Sequence, residues 1–282
     1  MSLQIATAEA GDLDGIHELM PGAFKGVNMT LVTACRSGLM VGAGSIEMVP
    51  RRGSIGHLRI NLATTGERRS ETRNALVEHL CAIGQTWGAA GVILGTLGEL
   101  EGRAAERKRA LGFIPRRERE IWGIDRDDLQ RTLDGLRTDQ PGGSVRAAVR
   151  KDLEGLRGLG TRGNGLAAAR KVIGTTSGSC LLLQGPSAVE EPLGMLLIQE
   201  QGDQALLRTF WKEDAESMET GTFLLDRSLA LLGLHEVTRF MARGPIGANR
   251  SFDVRLLEKL GGTCLKRQAW WTKTFSETRT TA

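Results

Sequence analysis

The chain has 282 residues, of which 40% are apolar and 25% charged, so we expect a packed globular protein of one large domain or two ordinary ones. A net charge of +4 is too small to indicate nucleic acid binding. The basic run from Arg103 to Arg119 is interleaved with glutamates and predicts a solvated face. We see no signal peptide, and no apolar run approaches the ~20 residues of a membrane helix. This predicts a cytoplasmic protein without a membrane partner.

Several classes of enzyme lack support in the sequence. There is no Ser-His-Asp ordering, no H-E-x-x-H pair and no Walker loop, so hydrolase, zinc protease and nucleotide triphosphatase activities are not indicated. No metal site is expected. The four widely spaced cysteines predict buried thiols in a reducing compartment.

The first half of the chain alternates between strand and helix patterns. Leu76, Leu80, Ile83 and Trp87 form one stripe of a helix that follows an alternating, strand-like segment. In chain order we predict a helix over 10–20, strands over 31–38, 39–49 and 55–64, a helix over 71–87, a strand over 90–97, a helix over 102–113 and a strand over 115–124.

The second half repeats this plan. In chain order we predict a helix over 148–159, strands over 179–185, 193–201 and 204–211, a helix over 220–234, a strand over 236–244, a helix over 251–262 and a strand over 265–275. Short matches support the repeat: "DLDGIHEL" (12–19) corresponds to "DLEGLRGL" (152–159), and "LGFIPRREREIW" (111–122) to "LGGTCLKRQAWW" (260–271). We therefore predict two α/β domains with mixed sheets, residues 1–140 and 141–282, joined by the linker-like "LRTDQPGGS" (136–144).

This order of elements, found twice, resembles that of the GNAT acyltransferases, which move an acyl group from coenzyme A to an amine. The main motif of that superfamily, [Q/R]-x-x-G-x-[G/A], lies between the central strand and the next helix, where backbone N–H groups hold the pyrophosphate of coenzyme A. Here that position reads "RRSETR": Arg68 matches the first motif residue, and Glu71 and Arg73 replace the glycines. The alternative to a phosphate site is an ordinary solvent-exposed helix start with Ser70 as N-cap.

The resemblance implies tandem GNAT domains that use acetyl-CoA or another acyl-CoA, with a small-molecule or peptide amine as acceptor. In the second copy Glu216, Glu219 and Gly221 take the motif positions, and an acidic loop there opposes a phosphate ligand. We therefore favour the first copy as the site of coenzyme A binding. The predicted coenzyme A contacts are Leu62, Ala63, Thr64, Arg68, Arg69, Ser70, Glu71, Thr72 and Arg73.

The catalytic groups of the superfamily are only partly matched. The tyrosine that often protonates the leaving thiolate is replaced by Lys108 in the first copy and by Leu257 in the second. His57, on the central strand, is the candidate base, with a strand-end histidine as its alternative. Asn249 lies near a cofactor-contacting asparagine position and otherwise reads as a loop residue. Two hypotheses stay open: a GNAT-type N-acyltransferase, and a catalytically degenerate tandem scaffold that binds or organises a partner.

Overall fold

The computed structural model describes residues 2–21, 29–48, 57–136, 143–160, 164–176, 178–185, 191–212, 214–234 and 236–275. The chain divides into two compact units. Unit 1 consists of Met1–Glu118 and Gln268–Ala282, and unit 2 consists of Arg119–Arg267. The end of the chain thus belongs to the unit built mainly from its beginning.

Unit 1 is organised around a mixed sheet. Its strands are β1 (Leu3–Thr7), β2 (Met29–Arg36), β3 (Leu39–Met48), β4 (His57–Thr64), β5 (Gly91–Leu94), the short β6 (Gly98–Glu99) and the second part of β13 (Thr263–Thr274). The spatial order is β1-β2-β3-β4-β5-β13, and β6 also pairs with β13. Among the described strands of unit 1, only β4 and β5 run parallel, as expected for two strands joined by a crossover helix.

In the described part of unit 1, three α-helices accompany this sheet: α1 (Leu13–Leu19), α2 (Arg69–Thr86) and α3 (Gly102–Ala110). Helix α2 packs closely on β3 because β3 presents glycines to it. A Cβ atom added at Gly44 would lie 2.8 Å from the Leu80 side chain, and one added at Gly42 would lie 3.0 Å from those of Leu76 and Thr72. This close approach fixes the start of α2 beside the end of β4.

Unit 2 repeats the architecture. Its strands are β7 (Ile114–Asp125, from Arg119 onward), β8 (Ser144–Ala147), β9 (Gly178–Gln184), β10 (Gly194–Gln201), β11 (Gln204–Trp211) and β12 (Arg239–Pro245). The order is β7-β12-β11-β10-β9-β8, again with one parallel pair, β11 and β12. The helices are α4 (Arg126–Gly135), a 3-10 helix at Arg150–Gly158, α5 (Asn164–Val172), α6 (Met218–Leu232) and α7 (Phe252–Lys259).

The sheet of unit 2 is buried on both faces. Along β9, Leu181 and Leu183 belong to one apolar cluster with residues of α6 and α7, whereas Cys180 and Leu182 belong to another with residues of α5. Alternating side chains along one strand therefore serve two cores, which is why this strand reads as a continuous apolar run.

The sequence-based prediction of a mixed α/β fold in two repeats is confirmed. The second central strand lies at 204–211 as predicted, and the first, predicted over 55–64, is described from His57 to Thr64, since residues 55 and 56 lie outside the described residues. The helices after them begin two residues earlier than expected. Five elements were not predicted: β1, β6, β8, α4 and α5. The expected linker falls largely on 137–142, which lie outside the described residues.

The two strands that close the repeats were predicted correctly as strands, but each lies in the other unit. The part of β7 from Arg119 pairs with β12 of unit 2, and Thr272–Thr274 of β13 pair with β5 of unit 1. The predicted boundary between the two repeats, between residues 140 and 141, therefore stays a prediction. The compact units follow other boundaries.

Candidate functional site

The first feature of the candidate site is a gap where β4 and β5 stop pairing. Their parallel register runs from His57 opposite Gly91 to Ile60 opposite Leu94, and the Gly95 N–H then donates to the Ile60 carbonyl at 2.6 Å. Beyond Ile60, β4 is paired only with β3 among the described residues. Because backbone groups alternate sides along a strand, those of Leu62 and Thr64 turn toward the gap.

Ala63, the residue between them, turns its backbone groups toward β3, where it is in register with Ala43. The three strand residues predicted to contact coenzyme A are therefore not equivalent. The backbone groups of Leu62 and Thr64 face the gap, whereas those of Ala63 face β3 within the sheet.

The second feature is the start of α2, which follows this strand end directly. Gly66 adopts a positive φ of 80° in the connecting turn, and Arg69 Nε donates to its carbonyl at 3.1 Å. The helix begins at Arg69, with Arg68 as N-cap, and no side chain of the described residues caps it. The free N–H groups of the first turn, together with the helix dipole, give this end a partial positive charge.

Ser70 is not the N-cap, which corrects that part of the sequence interpretation. It lies in the first turn, and its hydroxyl accepts a hydrogen bond from Arg107 of α3. The N-cap position is held by Arg68, two residues before Ser70, so the Ser70 hydroxyl lies inside the first turn and does not cap the helix. Thr72 is buried, and its N–H closes the first helical turn on the Arg68 carbonyl at 3.1 Å.

The third feature is a cluster of cations that we call the cation cluster: Arg73, Arg107 and Lys108. Arg73 remains exposed, yet the pKa of its guanidinium is lowered, first because protein surrounds part of it and then because Arg107 is close. The pKa of Lys108 is also lowered, by burial and then by Arg73, with Glu99 acting in the opposite direction. None of the three forms an ion pair within the described part of the chain. Like charges are thus held together beside a helix N-terminus.

Glu71 does not add a free negative charge to this site. Its carboxylate lies 2.7 Å from Arg68 and 3.2 Å from Arg36, so each oxygen contacts one guanidinium. Arg68 and Arg69 are engaged by Glu71 and by the Gly66 carbonyl, whereas Arg73 has no such partner within the described residues. The predicted contact residues from 68 to 73 are therefore brought together, and Arg73 is the most available of them.

Lys108 occupies the position where the GNAT resemblance predicts a tyrosine. Its Nζ lies 4.9 Å from the centroid of the Trp271 ring, and a Cβ added at Gly98 would lie 2.3 Å from that Nζ. The absence of a side chain at Gly98 therefore makes room for the amine. The sequence places Lys108 at the tyrosine position but indicates no role for it. Its contacts with β6 and β13 join distant parts of the chain, so local spacing could not predict them.

His57 lies away from the cation cluster. It is at the beginning of β4, four residues before Asn61, or roughly 13 Å along the strand. On the same strand face, Asn61 Nδ2 donates to Glu47 at 3.2 Å, and Arg59 pairs with Glu47 at 3.4 Å. Glu47 and Asn61 were missed from sequence, although the cross-strand register of Glu47 and Arg59 is the type of pairing that alternation could have suggested.

The equivalent gap in unit 2 is filled differently. Strands β11 and β12 pair only from Gln204 to Leu206, and the Asp253 carboxylate then accepts hydrogen bonds from both the backbone N–H of Thr209, at 2.7 Å, and its hydroxyl. The start of α6 is capped, because Ser217 Oγ accepts from the Thr220 N–H at 3.1 Å.

The acidic residues at this second motif position are also neutralised locally. Glu216 contacts Arg255 at 2.7 Å, and Glu219 lies 3.7 Å from Lys259. Leu257 is buried, and Asn249 is exposed in a turn. Glu213 lies outside the described residues.

Other candidate chemistry is limited. Cys81 and Cys180 are buried, and burial raises their pKa to about 11 and about 12, so these thiols are poor nucleophiles; Cys35 is half-buried and Cys264 exposed. In the part of the chain that the structure describes, no three His, Cys, Asp or Glu side chains are grouped as a metal site. No described helix is both long and apolar enough to cross a membrane.

Comparison with solved structures identifies the fold. A tandem GNAT protein from the clavulanic acid biosynthesis pathway, solved without acetyl-CoA, matches with a TM-score of 0.64 and 14% identity over 97% of this chain and 98% of its own. A GCN5-related N-acetyltransferase from Sphaerobacter thermophilus matches with a TM-score of 0.57 and 14% identity over 96% and 95%. FemX matches with a TM-score of 0.50 and 13% identity over 96% and 97%.

The chain therefore has the tandem GNAT fold, and both repeats contribute to it. No protein-family model matches the sequence, and no curated protein sequence matches it significantly. At such low identities the likeness defines the scaffold, and activity has to be argued from the site.

Proposed function

We propose that the protein is a cytoplasmic N-acyltransferase whose unit 1 binds an acyl-CoA and transfers the acyl group to the amine of a small molecule or peptide. The observation that carries the proposal is the cation cluster beside the uncapped start of α2. Three like charges without an ion-pair partner in the described chain repel one another, and a bound polyanion would relieve that repulsion. A pyrophosphate is such an anion.

The glycine-free motif fits this proposal through side chains. Arg73 and Arg107 offer guanidinium groups that can bind phosphate oxygens in pairs, and the first turn of α2 offers backbone N–H groups. Arg68, Arg69, Ser70, Glu71 and Thr72 then serve mainly to build and balance this surface. The backbone groups of Leu62 and Thr64 are available to a ligand chain that enters the gap beside β4.

The cations of the cluster have different roles: Arg73 and Arg107 bind the pyrophosphate, and Lys108 is the group that we assign as proton donor to the leaving thiolate. Its amine lies between α3, β6 and β13, and its lowered pKa makes it a stronger acid than free lysine. His57 stays our predicted base for the acceptor ammonium. Glu47 is a second candidate, because Asn61 and Arg59 orient its carboxylate on the same face of the sheet.

The alternative is a scaffold that has lost catalysis. It is favoured by the side chains of Glu71 and Arg73 at positions where the superfamily has glycine, since these side chains take space that a phosphate would use. In that case Arg73 replaces the phosphate rather than binding it.

Calorimetric titration of coenzyme A and of pantetheine into the full chain separates the two functions. We expect coenzyme A to bind and pantetheine, which lacks the pyrophosphate, to bind far more weakly. Arg73→Gln should weaken coenzyme A binding by about 1–3 kcal/mol, the range for hydrogen bonds to charged groups. Arg131→Gln, which removes an exposed arginine of α4, is the matched control and should change nothing.

The opposite result would support the scaffold. It consists of no binding by the natural protein at low salt together with a gain of binding in Arg73→Gly. Equal binding of pantetheine and coenzyme A would also contradict a site built for the pyrophosphate.

A further inference from the structure

Unit 2 contains a cavity of about 610 Å³ on the side of the gap where Asp253 bonds Thr209. Its volume is within the range of small-molecule sites. Its wall combines the aromatic residues Phe210, Trp211 and Phe252 with the carboxylates of Asp214, Glu216 and Asp253. All of these residues belong to unit 2, so the cavity is complete within it.

The carboxylate of Asp253 is enclosed by protein, although part of the residue still faces the cavity. Its Oδ1 accepts both hydrogen bonds from Thr209, and its Oδ2 has no partner among the described residues. Burial raises the pKa of this carboxyl to about 6, so it is ionised at neutral pH. Two charged side chains act on it from nearby: Arg208 lowers its pKa and Glu216 raises it. Within the described chain, neither side chain forms a hydrogen bond with the Asp253 carboxylate.

The other charges in the wall are differently placed. Glu216 is paired with Arg255 at 2.7 Å, and Lys212 with Glu191 at 3.4 Å. Asp214 is exposed, has a positive φ of 70° and has no partner within the described residues. Two carboxylates, one enclosed and one at the surface, are thus left without a counter-charge in contact.

This cavity is a poor place for a second coenzyme A. Asp253 already occupies the Thr209 N–H that the open strand would offer to a ligand, and the uncompensated charges repel phosphate. Ser217 caps the neighbouring helix start. The chemistry of the wall is suited to a cation.

We propose that this cavity binds a small primary amine in its ammonium form, with an apolar body lying against the rings of Phe210, Trp211 and Phe252. The ammonium donates a hydrogen bond to Asp253 Oδ2, and the rings cover the carbon chain. Cation–π attraction is left to Trp211, because the rings of Phe210 and Phe252 already face the guanidinium groups of Arg208 and Arg255, at 5.3 and 5.6 Å from the ring centroids. An ammonium fits better than a guanidinium, because a bidentate guanidinium needs two free oxygens and Oδ1 is already engaged by Thr209.

The test is calorimetric titration of the full chain at near-neutral pH with three probes of one shape: phenethylamine, phenethyl alcohol and phenethylguanidine. We expect 1:1 binding of phenethylamine and at least roughly tenfold weaker binding of the neutral alcohol and of the guanidine, because the charge-assisted hydrogen bond is lost or misdirected. Trp211 fluorescence should change on saturation.

Variants locate the binding. Asp253→Asn keeps an oxygen for the Thr209 hydrogen bonds and removes the charge, so phenethylamine should bind at least roughly tenfold more weakly. Asp214→Asn, at an exposed position where folding is not at risk, should weaken binding about two- to fivefold at low salt. Asp127→Asn in the first turn of α4 is the matched control, and affinity should stay unchanged.

Three outcomes would overturn the proposal: no phenethylamine binding at millimolar concentration, equal or tighter binding of the alcohol or guanidine, or full affinity in Asp253→Asn. Coenzyme A titrated into Asp253→Asn should bind as it does to the natural protein. The amine site and the acyl-CoA site can therefore fail separately.

Discussion

At the scale of single residues, the two units use the same strand gap for opposite charges. In unit 1, Arg73 and Lys108 belong to the cation cluster at the start of α2, the helix that follows the gap, and have no ion-pair partner in the described chain. In unit 2, the carboxylate of Asp253 fills it. A charged group in a position where it destabilises the folded protein is a candidate functional residue. We therefore make a separate prediction for each of these residues.

Asp253→Asn should stabilise the protein near pH 7.5. The folded pKa of about 6 lies above the ordinary 3.8, so the folded state binds a proton that the unfolded state releases between these values. The free energy of unfolding therefore falls as the pH rises from 3.8 to 6, because the folded protein must then bury a charged carboxylate. Above pH 6 the loss of unfolding free energy is complete, at most about 3 kcal/mol. Denaturant unfolding should show Asp253→Asn gaining up to this amount near pH 7.5 and about half of it near pH 5. A less stable variant with a pH-independent difference would contradict the proposed burial of charge.

Lys108→Met should slow acyl transfer without weakening acyl-CoA binding to the same extent. The measurement is thiol release from acetyl-CoA with a panel of primary amines, followed against pH. In the natural protein kcat should fall at high pH as Lys108 loses its proton, at a pKa below the 10.5 of free lysine, and the variant should lose this limb. We expect a roughly 10²-fold lower kcat, the lower end for general acid catalysis.

Lys108→Arg is the control for charge alone, because arginine keeps the cation and cannot release the proton near neutral pH. If Lys108→Arg restores the natural rate, Lys108 acts by electrostatic stabilisation. Its assignment as proton donor would then be wrong.

At the scale of elements, α2 shows what the sequence could and could not predict. The apolar stripe of Leu76 and Leu80 and the alternation of β4 located both elements, since these patterns depend on local burial. The start of the helix was misplaced because Ser70 resembles an N-cap in sequence, whereas its hydroxyl lies in the first turn and bonds Arg107, which is 37 residues away in the chain. A hydrogen bond between residues so far apart leaves no pattern in a sequence window of ten or fifteen residues.

The closing strands show the same limit on a larger scale. The sequence of β7 and β13 predicts strands through alternation, but which sheet each strand joins depends on its partners, β12 and β5. Helix α4 was missed because its apolar stripe is short, only Leu129 and Leu133, and a segment of linker-like composition follows it. In the candidate site, the basic residues from 68 to 73 could be predicted from motif position. Asp253 could not, because its hydrogen bonds to Thr209 join residues 44 positions apart.

Glu71→Gln should strengthen coenzyme A binding about two- to fivefold, because it removes a carboxylate from the site and releases Arg68 from a surface ion pair worth at most ~1 kcal/mol. The affinity should also fall more steeply with salt, since more exposed cations then contribute and their fields are screened over about 8–10 Å. Titrations at two salt concentrations measure both effects, with Glu78→Gln, an exposed change on the same helix, as control. Unchanged or weaker binding in Glu71→Gln would show that Glu71 supports the site.

At the scale of the whole molecule, the units and the halves of the sequence differ. Unit 1 needs Gln268–Ala282, which include the fully buried Trp271, and unit 2 needs β7 from Arg119 onward together with α4. The chain order of the repeats therefore does not predict which fragments fold.

A fragment of residues 1–140 should not fold alone, because it lacks the strand that pairs with β5 and supplies Trp271. Co-expression with residues 141–282 should restore a folded complex in which the fragments co-purify. Cooperative thermal unfolding followed by circular dichroism is the measurement. A monomeric 1–140 fragment with a sharp unfolding transition would contradict this account of unit 1.

The central claim is that unit 1 binds an acyl-CoA through the cation cluster and that unit 2 does not. The most direct test is the calorimetric stoichiometry of coenzyme A on the full chain, repeated with Arg73→Glu. We predict one coenzyme A per chain, with binding abolished by Arg73→Glu because the charge reversal places a carboxylate where the pyrophosphate would lie. Two molecules per chain, or one that survives Arg73→Glu, would contradict the claim.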